Sequence, residues 1–111
     1  MKFDDLKIGD NLVCLRIKDN IAIHINLKIT ARGHYKFSFI SDTLDAYTLT
    51  VPTNKEINGK LVMLDNGSNN YDDSIREYLF ETLEDCRKFA INHYEQKIKK
   101  YEETIQRVKT W

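Results

Sequence analysis

The stretch IAIHINLKIT, residues 21–30, alternates without a break. Ile21, Ile23, Ile25, Leu27 and Ile29 share one face; Ala22, His24, Asn26, Lys28 and Thr30 share the other. A period of two places successive side chains on opposite sides of a pleated strand, so this is a half-buried β-strand. Val13, Leu15 and Ile17 before it, and Tyr35, Phe37 and Phe39 after it, continue the odd-numbered pattern.

Parity then constrains the turns. Opposed residues of an antiparallel pair share a face, so odd must meet odd and each loop must hold an odd number of residues. Three-residue loops need a left-handed third residue. Lys18-Asp19-Asn20 offers Asn there, and Ala31-Arg32-Gly33 offers Gly. The predicted pairs are Ile17–Ile21, Leu15–Ile23 and Val13–Ile25, then Ile29–Tyr35, Leu27–Phe37 and Ile25–Phe39.

Further along, AYTLTVP supplies a fourth strand with Tyr47, Leu49 and Val51 inward, ended by Pro52. LVML (61–64) lacks alternation and reads as a short strand covered on both faces. EYLF (77–80) is the last strand. The sum is an α+β fold: a curled antiparallel meander or partly open small barrel of five to six strands, packed by one long C-terminal helix. Residues 1–111 form a single domain. Its β region covers 1–80 and its helical region 82–110.

Thr82-Leu83-Glu84-Asp85 resembles a capping box, and no Gly or Pro follows it. At 100° per residue, Leu83, Cys86, Ala90, Ile91, Tyr94, Ile98, Tyr101, Ile105 and Val108 fall on one stripe. Phe89 lies outside it. The first half of the helix is expected to lid the apolar concave side of the sheet. A helix over 83–108 spans roughly 39 Å at ~1.5 Å per residue, whereas a domain of this size is about 34 Å across. The distal half therefore overhangs.

From Ile91 the stripe alternates between a and d positions of a heptad, with Glu95, Lys97, Glu102 and Lys109 at flanking e and g sites. Ile91, Tyr94, Ile98, Tyr101, Ile105, Val108 and Trp111 are the expected protein interface, for a second copy of the chain or another protein.

The other surface of note is basic. Arg16, Lys28, Arg32 and Lys36 fall on or beside the outward sheet face, with Lys28 opposite Lys36. Opposed lysines repel, which leaves room for an anion such as a nucleic-acid backbone. Sheets that bind single strands stack bases on aromatics, and here the aromatics point inward. Nucleic-acid binding is thus the second reading.

Composition excludes more than it assigns. Lys and Arg balance Asp and Glu at 17 each, so no global field draws the chain to nucleic acid or anionic lipid. MKFDDLKIGD lacks the apolar core of a signal peptide, and no run approaches a membrane span. Two cysteines without CxxC spacing suit reduced thiols, hence the cytoplasm.

No catalytic, metal or cofactor set emerges. Cys14 and His24 come opposite each other under the predicted register, but no third group joins them. DNGSNNYDD (65–73) is oxygen-rich, yet the twelve-residue calcium-loop pattern fails, with Asn70 in the glycine position and Arg76 in the final glutamate position. The chain reads as non-enzymatic.

Two segments carry a resemblance. KIGDNLVCL (7–15) resembles the opening strand of small SH3-like β-barrels. EYLFETLEDCRKFAINHY (77–94) resembles the strand-then-capped-helix ending of many small proteins of bacteriophages and mobile elements. The resemblance implies an accessory or virion protein, or an inhibitor that binds a host protein. It assigns no functional residue.

Overall fold

The computed structural model describes residues 1–67 and 74–111. The rest of the oxygen-rich segment, 68–73, lies outside them. Among the described residues a 3-10 turn, η1 (Phe3–Asp5), precedes six strands and one helix. The strands are β1 (Asn11–Lys18), β2 (Ile21–Arg32), β3 (Lys36–Ser41), β4 (Ala46–Thr50), β5 (Lys60–Val62) and β6 (Arg76–Phe80). The helix, α1, is Leu83–Val108.

All the strand pairs are antiparallel, in the order β4-β3-β2-β1-β6-β5. The sheet curls into a half-barrel. Its two ends meet where Thr48 and Asp65 exchange backbone hydrogen bonds of 2.7 and 2.9 Å. The α+β class and the long helix match the sequence reading.

The interior holds Leu12, Cys14, Ile25, Leu27, Ile29, Phe37, Phe39, Tyr47, Leu49 and Val51. Phe3, Leu6 and Ile57 close it, although no periodicity in the sequence marks them. Phe3 is fully enclosed, its ring 5.5 Å from that of Phe37, and its backbone N–H donates to Lys55.

The register differs from the parity argument at the first hairpin. β1 and β2 join through two residues, Asp19 and Asn20, with φ of 52° and 64°. Both in the left-handed region make the type I′ geometry that matches strand twist, and Asp and Asn tolerate it. Lys18 thus faces Ile21, Leu15 faces His24 and Cys14 faces Ile25. β1 is turned over relative to expectation. Its even residues Leu12 and Cys14 enter the barrel, and Val13, Leu15 and Ile17 point outward.

A strand apolar on both faces needs a second cover. The helix provides it. α1 lies on the outside of β1 and β6, not over the concave side, which the curl of the sheet and η1 already fill. Val13, Leu15, Ile17, Phe80 and Cys86 form this second core, with Ala22, Tyr78, Phe89 and Ala90 at its margin. Phe89, outside the predicted stripe, is a main anchor: its ring lies 4.8 Å from Tyr78 and 5.2 Å from Phe80.

The second hairpin also shifts. Ile29 pairs with Phe39 and Leu27 with Ser41, so Tyr35 is left exposed in the turn. A bulge between Ile29 and Ala31 reverses the facing of the strand beyond it. β5 is corrected as well: Leu61 and Met63 are exposed, and Leu64 alone of that run is buried.

Candidate functional site

The helix starts as its sequence dictates. Thr82 is extended, and its Oγ1 accepts from the Asp85 N–H at 3.2 Å. Glu84 and Asp85 sit in the first turn, where the helix dipole favours negative charge. The face turned to the sheet is Cys86, Phe89, Ala90, His93, Tyr94 and Lys97, at helical spacings of three and four. At the end of this contact the β1–β2 hairpin tip grips the helix. Tyr94 Oη donates to the Asn20 carbonyl at 2.7 Å, and Lys97 Nζ donates to Asn20 Oδ1.

Beyond Lys97 every residue of the chain is exposed. The helix runs off the sheet, which gives the molecule extents of 56 × 30 × 24 Å and a radius of gyration of 16.5 Å. A compact chain of this length would have about 13 Å.

The overhanging part keeps its apolar stripe. Ile98 is 56% exposed, Tyr101 64%, Ile105 52%, Val108 44% and Trp111 94%. Ile91 is exposed too, since the packed face of the first half is rotated away from the stripe. Tyr94 alone of the predicted interface residues is half-buried, against its own hairpin. Scattered exposed apolar residues are ordinary on a protein surface, whereas a contiguous row is not.

The predicted basic face does not assemble. Arg16 lies on the barrel side of β1, where its Nε and Nη2 donate to Glu77 Oε2 at 3.0 and 2.9 Å. Its guanidinium stands 5.9 Å from the Tyr47 ring centre. Burial works against the charge on Arg16, but bonding to Tyr47 and Glu77 outweighs it and holds the pKa above the ordinary value. The bulge in β2 turns Arg32 onto the Phe37 side, where its guanidinium lies 5.4 Å from that ring. Arg32 Nη1 donates to the carbonyls of Asp4 and Leu6. Lys28 and Lys36 stay exposed, but Lys28 faces Ile40 and Lys36 faces Thr50.

Cys14 and His24 also part. Cys14 is enclosed in the barrel and His24 is exposed on the other face. Burial, followed by the nearby Glu77 carboxylate, pushes the Cys14 thiol up to about 12. Burial raises the Cys86 thiol as well. The thiolate is the reactive form, so both thiols should resist alkylation in the native protein at pH 8 and react only on unfolding. Mass-spectrometric counting of iodoacetamide adducts with and without denaturant checks this. Rapid native labelling of Cys14 would contradict its placement.

Two shallow clefts of about 260 and 360 Å³ flank the helix and share His93 and Lys97. Lys97 is committed to Asn20. Among the described residues, no three His, Cys, Asp or Glu side chains group as metal ligands. No described helix is long and apolar enough to cross a membrane.

Comparison with known proteins finds no matching family model, no similar curated protein and no similar solved structure.

Proposed function

We propose that this chain is a non-catalytic protein–protein interaction module that self-associates through the distal half of α1. The observation that supports this reading is the row Ile98, Tyr101, Ile105 and Val108, apolar, solvent-exposed and held on a helix clear of its own sheet. Isolated short helices are marginal in water, and helical stability usually comes from packing an apolar face. The sheet anchors the first half, so the second half is presented already folded and a partner meets little ordering cost. Aromatic and branched side chains at helical spacing suit a helix–helix contact, with the charged rim setting orientation. An accessory or host-inhibitory role, as the resemblance to small phage proteins implies, would use the assembled form.

A seam this short lies at or below the low end of specific interfaces, about 1,200 Å² in total, so the affinity expected is micromolar. Solution mass by light scattering at about 200 μM protein tests the reading. The wild type should be a dimer or higher oligomer. The Tyr101→Glu, Ile105→Glu double variant should be a folded monomer with unchanged circular dichroism. A monomeric wild type at that concentration would sink the proposal.

A further inference from the structure

A self-associating helix can align with its copy in two directions, and the contacts of Lys97 and Tyr94 bear on the choice. Both are engaged by the hairpin tip, through the Asn20 side chain and carbonyl. The seam open to a partner therefore begins at Ile98.

In a parallel pair each seam residue meets its own copy. The flanking contact would be Lys97 at a g position with Glu102 of the second copy at e. That contact draws on a lysine already bound to Asn20. Parallel alignment also sets both sheets at the same end. The molecule measures 30 × 24 Å across, while packed helices approach to about 8–10 Å.

The antiparallel alignment meets neither obstacle. Centred on Glu103, it sets Ile98 against Val108 of the second copy and Tyr101 against Ile105, filling every layer with free side chains. Glu95 then faces Lys109 of the second copy, twice by symmetry. Trp111 comes beside Lys97 of the second copy on the flank where g positions meet, and the indole can cover the lysine stem. The sheets lie at opposite ends. One unfavourable contact remains, Glu102 beside its own copy at the centre.

We infer that two copies pair antiparallel over residues 95–111 in this register. The inference rests on the self-association proposed above.

The test places a spin label on Lys88→Cys, an exposed site on the sheet-bound half of the helix, in protein at about 200 μM. Cys14 and Cys86 are buried and escape the label. Dipolar spectroscopy should return about 45 Å between labels, from ~1.5 Å per residue either side of the centre. A distance under about 20 Å would mean parallel pairing, which overturns this inference and leaves self-association standing. No intermolecular distance, together with a monomer mass, would overturn both. Glu102→Gln supplies a second reading of direction. It should tighten an antiparallel dimer about twofold by removing a like-charge contact. Weakened association would overturn the inference, because only the parallel pair uses Glu102 as an attractive partner.

Discussion

Arg16→Ala is expected to lower the unfolding free energy by about 3–5 kcal/mol, because it strands a buried carboxylate. Glu77 is only 7% exposed, and its Oε2 accepts both of the nitrogen donors of Arg16 that reach it. Its Oε1 takes a longer contact from the Leu64 N–H at 3.4 Å. Without Arg16 the charge keeps the desolvation cost and loses its counter-ion. The contrasting variant removes both partners. Arg16→Met with Glu77→Leu replaces two charges by apolar groups of similar size, and should recover most of the loss. Urea denaturation of the three proteins decides the matter. A single variant as stable as the wild type at pH 7 would show that the pair does not carry the charge balance of the barrel end.

Phe89→Ala should cost about 2–4 kcal/mol, near the lower part of the range for aromatic truncation because the ring is only partly buried. It is the residue through which α1 grips Tyr78 and Phe80. The same truncation at Ile98 should change monomer stability by less than about 0.5 kcal/mol, since that side chain touches water and not the sheet. Thermal unfolding at low concentration, where association does not contribute, separates the two. Equal losses at both positions would mean that the distal helix folds back onto the domain. The pair of variants thus also probes the premise of the proposed interaction.

The outline of the fold was legible because it rests on local periodicity. Alternation over 21–30, the break at Pro52 and the cap at Thr82 each act within a few residues of sequence. The length of α1 and its overhang followed from the uninterrupted run after Thr82 and the size of the sheet. The exposed row from Ile98 to Trp111 was legible for the same reason.

What failed was the assumption that one apolar face implies one core. Leu12-Val13-Cys14-Leu15 is apolar at every position, and all four are buried. An unbroken apolar run signals a strand covered on both sides, and that signal was present in β1. Reading only its odd residues put the turn at three residues and the helix on the wrong face. The Asp19-Asn20 pair carried the same information, since both types accept the left-handed conformation a two-residue turn requires. The bulge in β2 had no such local mark. Its effect is large for the surface, because it carries Arg32 from the outward face to the carbonyls of Asp4 and Leu6.

By itself, then, the sequence determined the elements, their order and the apolar stripe that outlasts the sheet. Hydrophobic period, capping and turn preference are properties of neighbouring residues, so they survive without the rest of the chain. The tertiary structure alone decided which side of β1 each core occupies, where α1 rests, and which cations stay in solvent. Those outcomes depend on pairing register and on long-range contacts. A one-residue change at the Asp19-Asn20 turn moves a whole strand face from one environment to the other.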